Sequence, residues 1–129
     1  MIRYLFAWAL GMMTLGCQNN TYQIGERLYK GNCSSCHMDK GEGLAGLIPP
    51  LAGSDYLGQH LDKLPCLIRK GLQDTIVVNG KTYVEMMPDN PALSDIQITN
   101  LLNYIGSSWG NQHPPYQLEQ VRELLKSCE

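Results

Sequence analysis

Two thiols separated by two residues and followed at once by an imidazole, Cys33-Ser34-Ser35-Cys36-His37, constrain this chain more than any other feature. Cysteines at that spacing can each add to a haem vinyl group, and the histidine after the second then lies under the iron as an axial ligand. The motif bears directly on the fold, because the chain has a single Phe and about 110 residues beyond its first segment. A fully apolar core of that size would be modest, and a bound macrocycle helps to fill it. A redox dithiol at the same spacing needs a strand–motif–helix setting in an α/β pattern, whereas the pattern here is helical. Zinc needs a fourth ligand and usually a second close cysteine pair, and no such pair exists in the sequence. The motif therefore predicts one covalent haem c held by Cys33, Cys36 and His37, with His37 on the iron.

What fills the second axial position decides the chemistry. Met87, followed by Pro88, sits 50 residues beyond His37 and is the expected ligand. A thioether that closes the site leaves no open coordination position, which favours electron transfer over catalysis. Met86 is the obvious competitor, and Met38 is too close to His37 to reach the opposite face. His60 and His113 could in principle give a bis-histidine iron. His60 falls on a short predicted helix and His113 in a loop beside prolines, so both are expected at the surface.

Residues 1–17 read as an export signal. Arg3 supplies the positive region, and Tyr4–Leu15 supplies an apolar stretch too short to span a bilayer comfortably. Thr14-Leu15-Gly16-Cys17 resembles a bacterial lipobox, which implies acylation of Cys17 and a short tether over 18–21. The expectation is an exported, periplasm-facing, membrane-anchored lipoprotein. Cys17, Cys33 and Cys36 then have roles, which leaves Cys66 and Cys128 in a compartment that oxidises thiols. Those two are expected to form a disulfide that staples the last helix to the domain. Without Arg3, nine cationic side chains face twelve acidic ones, a charge of −3. That surface gives no reason to expect nucleic-acid binding.

The remaining pattern is one domain over 22–129, all-α with long loops. A helix is expected from about Tyr22 to Asn32, with Ile24, Leu28 and Tyr29 on its inner face. Gly-rich irregular chain follows over 40–53. Short helices are expected over 55–60, capped by Ser54, and 64–70, with Pro65 in the first turn and Gly71 at the end. Asn79-Gly80 between apolar runs predicts a hairpin with a type I′ turn. Ser94-x-x-Gln97 is a capping box opening a helix over 95–108, and a last helix is expected over 116–127.

With these residues in view, the chain resembles the class I cytochrome c family. Gly25 and Tyr29 stand eight and four residues before the first haem cysteine, as in that family, and Tyr104 matches the aromatic of its last helix. The resemblance implies that Gly25 lets two helices cross closely. Pro49-Pro50-Leu51 looks like the family's Pro-x-Leu segment. That implies a Pro49 carbonyl accepting from the His37 ring, which fixes its orientation, and Leu51 packed on the macrocycle. The stretch from Asn79 to Asn111 looks like bacterial single-haem cytochromes of respiratory oxidases, reductases and dehydrogenases, which implies Tyr83 near a haem propionate and Trp109 in a structural role. The segment from about 112 exceeds the usual family domain. The implied function is a single-electron carrier rather than an enzyme, working between redox proteins as a monomer or as a subunit of a redox complex. The rival expectations are a small haem peroxidase and a gas or redox sensor.

Overall fold

The computed structural model describes residues 21–128, so the export signal and Cys17 lie outside the described residues. The elements run α1 (Thr21–Asn32), α2 (Ser34–His37), α3 (Asp55–Gln59), α4 (Leu64–Lys70), β1 (Ile76–Val78), β2 (Lys81–Tyr83), α5 (Asp95–Ser107) and α6 (Leu118–Lys126). The strands form a two-stranded antiparallel hairpin with Ile76 opposite Tyr83. This is the helical architecture with one small hairpin that the sequence predicts. α1 opens at Thr21, inside the stretch expected as tether, and α2 is a short turn that the pattern did not single out. No helix among the described residues is long and apolar enough to cross a membrane.

The helix crossing of α1 and α5 rests on the absence of a side chain. A Cβ at Gly25 would lie 2.4 Å from the Asn100 carbonyl oxygen and 2.5 Å from Tyr104 Cβ. The close approach carries Tyr29, one turn further along the same face, fully into the core at 0% exposure. Its ring lies 5.7 Å from Tyr104 and 4.9 Å from Trp109, and the latter two meet edge-on at 5.5 Å, offset geometries that aromatic quadrupoles favour. Ile24 does not share this face and is 42% exposed, against expectation. It sits roughly 100° round the helix from Gly25, so a stripe centred on Gly25 and Tyr29 turns it outward.

α5 begins at the expected capping box. The Gln97 side chain accepts from the Ser94 amide at 2.8 Å while Ser94 Oγ accepts from the Gln97 amide at 3.4 Å. Ile98, Leu101, Leu102 and Ile105 are buried along it. The hairpin turn has φ of 51° at Asn79 and 76° at Gly80, the pair of positive values a type I′ turn needs. α6 begins at Leu118, two residues later than predicted, because the Tyr116 backbone is already engaged. Its amide donates to Asn103 Oδ1 at 2.7 Å and its carbonyl accepts from Asn103 Nδ2 at 3.1 Å. α6 docks through Val121, which is fully buried, and Cys128 joins Cys66 in a disulfide with Cα atoms 5.4 Å apart, within the usual span for such a bond.

Candidate haem site

The chain leaves α1 in a tight turn that sets the cysteine pair. The Cys33 amide donates to the Tyr29 carbonyl at 2.8 Å and the His37 amide to the Cys33 carbonyl at 2.9 Å, so Cys33, Cys36 and His37 wind round a single helical turn. Their side chains reach one apolar cleft. Its body is made by Leu64, Leu67 and Ile68 of α4 and by Leu101, Leu102 and Ile105 of α5. The inner face of the hairpin contributes Ile76, Val78 and Tyr83; strand alternation turns Val77 the other way, and it is exposed. All seven residues expected around the cofactor, Cys33, Cys36, His37, Pro49, Leu51, Tyr83 and Met87, line this cleft.

His37 is buried, and its Nδ1 donates to the Pro49 carbonyl at 3.0 Å, which leaves Nε2 as the nitrogen available to a metal. Burial lowers the imidazole below its ordinary pKa, and the Pro49 hydrogen bond pulls weakly the other way. The neutral form that ligates metals is thereby favoured. Burial, with a smaller push from Cys36, raises the Cys33 thiol to about 11. Reactive cysteines show the opposite, a depressed value, so Cys33 does not have the character of a redox nucleophile. Among the described residues no group of three or more His, Cys, Asp or Glu is placed to hold a metal ion by itself. An apolar slot with two thiols, an oriented imidazole and a thioether on its walls fits haem c.

Met87 is half-buried and fixed by its backbone. Its amide donates to the Leu72 carbonyl at 2.8 Å and its carbonyl accepts from the Leu72 amide at 2.9 Å. Met86 touches the rim of the cleft but is 63% exposed. Neither alternative histidine lines the cleft, and neither is the free surface residue the sequence suggests. His60 caps α3, stacks on Tyr56 at 4.1 Å and donates through Nδ1 to the Tyr56 carbonyl at 2.8 Å. His113 packs against Gly58 and Gly106, with its Nε2 buried and without a partner among the described residues. Gly58 and Gly106 offer the space that sequence periodicity does not reveal. Met38 turns its carbonyl to the Tyr29 hydroxyl at 2.6 Å and stays out of the cleft.

Asn111 is offered by the sequence only as the end of the family-like stretch and is given no role of its own. It is 7% exposed, accepts from the Gly53 amide at 2.9 Å, and donates to the carbonyls of Leu51 at 3.0 Å and Ile105 at 2.9 Å. It thereby ties the loop that carries Leu51 to the end of α5. Its only sequence signal is position, directly after Trp109-Gly110.

The model of the cytochrome c family matches residues 22–109. The chain belongs to the cytochrome c family. Cytochrome c-552 of Thermus thermophilus is 32% identical to this cytochrome over 111 residues, covering 78% of this chain and 82% of that protein. The cytochrome c subunit of a quinone alcohol dehydrogenase from Gluconobacter oxydans is 28% identical over 104 residues, which is 80% of this chain and 21% of the subunit. Its counterpart from Gluconacetobacter polyoxogenes is 32% identical over 97 residues, again across 21% of its length. Membership brings a covalently bound haem c and the role of a monohaem electron carrier. The family match stops at Trp109, so α6 and the Cys128 end of the disulfide lie beyond it.

Proposed function

We propose that His37 and Met87 are the two axial ligands and that this cytochrome passes single electrons between redox proteins on the exported side of a membrane. The observation that carries the ligand assignment is the double hydrogen bond that pins Met87 to Leu72 on the wall of the cleft that also holds His37. When bound, haem c supplies a one-electron ferric/ferrous couple. The chain's own residues bury it, orient the imidazole through Pro49, and keep water from the apolar wall. Thioether ligation and low polarity both favour the less charged ferrous state and so raise the potential. With His37 and Met87 both holding the iron, no position would remain for peroxide or dioxygen, which favours a carrier over a peroxidase or gas sensor.

Similarity to cytochrome subunits of quinone alcohol dehydrogenases supports work alongside, or within, a larger redox complex. The disulfide Cys66–Cys128 suits an oxidising compartment, in keeping with the export signal over 1–17 and acylation of Cys17.

The oxidised protein is expected to show the weak near-infrared charge-transfer band of thioether–ferric haem. Met87→Ala abolishes that band and opens the iron to added ligands, while Met86→Ala leaves it intact. The reverse pattern moves the ligand to Met86, and no band in the unaltered protein returns His60 and His113 to consideration.

A further inference from the structure

The segment carrying Met87 is built onto the last turn of α4 and the two residues that follow it. On one side are the two main-chain hydrogen bonds between Leu72 and Met87. On the other, the Asn90 amide donates to the carbonyls of Ile68 at 3.2 Å and Arg69 at 3.3 Å, and Asn90 Nδ2 donates to Ile68 at 3.3 Å. Between them lies Gly71, which ends α4 at φ 76°. A Cβ there would stand 2.4 Å from the Met87 carbonyl oxygen and 2.9 Å from the Asp89 amide. The backbone of 87–89 thus rests directly on the glycine, in a conformation that only glycine adopts without strain.

The other side of α4 is held by the C-terminal extension. Cys66 on α4 is bonded to Cys128, and Lys70, the residue before Gly71, donates to the Cys128 carbonyl at 2.8 Å. Arg69 pairs with Asp95 of α5 at 3.0 Å, and Arg122 of α6 approaches the same carboxylate at 4.0 Å. α4 is therefore clamped between α6 outside and the methionine segment inside. It has only seven residues, too short to hold its shape without tertiary support.

From this arrangement we infer that α6 and its disulfide are a brace for the sixth ligand, with Gly71 and Leu72 as positioning residues that pass its rigidity to Met87. The inference rests on Met87 being the ligand. Haem attachment is independent of the brace, because Cys33, Cys36 and His37 belong to the α1–α2 turn. Releasing the brace loosens α4's last turn, lets Leu72 and Met87 part more often, and exposes the iron to ligands that compete with the thioether.

The test uses the haem-loaded Cys66→Ser/Cys128→Ser double variant and reads two quantities: cyanide binding to the ferric protein and hydrogen exchange at the Met87 amide. Haem stays covalently attached, and both rates rise by roughly tenfold or more, since a disulfide typically contributes more than the energy of one decade in rate. A folded variant in which both rates stay within about twofold of the parent overturns the brace and leaves the disulfide as a clip for α6 alone. Should the double variant fail to fold, Gly71→Ala wedges apart the same joint with the disulfide intact, and unchanged rates there overturn the inference equally. Failure of the ligand assignment is separable. In that case Met87→Ala binds cyanide no faster than the parent, while exchange at the Met87 amide, which does not depend on iron ligation, still reports on the brace.

Discussion

Gly25 and Gly31 lie in the same helix and invite the same substitution, yet the structure assigns Gly25→Ala and Gly31→Ala opposite signs. At Gly31 a Cβ meets nothing within 4 Å, so alanine brings only its better helix propensity, a gain of about 0.5–1 kcal/mol. At Gly25 the same methyl would stand 2.4 Å from a backbone oxygen and 2.5 Å from Tyr104 Cβ, where carbon normally settles at about 3.5 Å or more. Neither neighbour can swing aside, because one is main chain and the other the root of a side chain in α5. The helices have to part by roughly 1 Å, and Tyr29 then loses its fit against Tyr104 and Trp109. Overpacking of this kind costs about 1–3 kcal/mol, and a clash with backbone belongs at the upper end. Net of propensity, Gly25→Ala is destabilising by about 2 kcal/mol. For a domain near 100 residues that lowers Tm by roughly 8 °C, while Gly31→Ala raises it by about 3 °C. Thermal unfolding of the haem-loaded proteins, followed by far-ultraviolet circular dichroism, measures both. Shifts of the same sign, or a Gly25→Ala protein as stable as its parent, would refute the reasoning that the crossing depends on the missing Cβ.

Asn111→Ala removes three hydrogen bonds at a buried position and is expected to cost about 3 kcal/mol, read as a lower denaturant midpoint with an unchanged slope. Tyr116 is buried and donates to the Leu61 carbonyl, and burial raises its phenol from 10.0 to about 12. Folding thus favours the protonated phenol, so its contribution is intact below pH 10 and is lost as pH climbs through 12; Tyr116→Phe flattens that alkaline loss in a stability–pH series. Cys17→Ser is expected to release the protein from membranes or block its processing, measured by fractionation and by the mass of the N-terminal peptide; an unaltered protein that is soluble and cleaved elsewhere would sink the lipoprotein reading.

Much of the site is legible because its chemistry is local along the chain. The haem motif, the Ser94–Gln97 box, the Asn79-Gly80 turn and the Pro65/Gly71 limits of α4 each depend on residues within a few positions of one another, and each has its own backbone or hydrogen-bond requirement. Pairing of Cys66 with Cys128 follows from a count of thiols, so it too needs no coordinates. The inner face of α1 is a different case. Ile24 is more apolar than Gly25, and hydropathy alone puts it inside; only the close packing of α5 makes the bare glycine the buried residue and turns isoleucine outward.

Long-range pairing of main chain and of uncharged polar side chains is where the sequence falls silent. Nothing near Leu72 or Met87 announces that their main chains bond to each other, because backbone amides and carbonyls are the same at every position and carry no residue signature. Asn111 and His113 look alike as polar loop residues, yet one is held by three partners while the other packs its ring against a glycine of α3 and a glycine of α5. The sequence by itself determined the cofactor and marked Cys33, Cys36 and His37 as the residues expected to hold it, since covalent and coordinate bonding demand particular side chains at particular spacings. Only the tertiary structure decided that Met87 sits on the wall of the same cleft as His37 and is pinned there by Leu72, because shape and main-chain hydrogen bonds act across the fold.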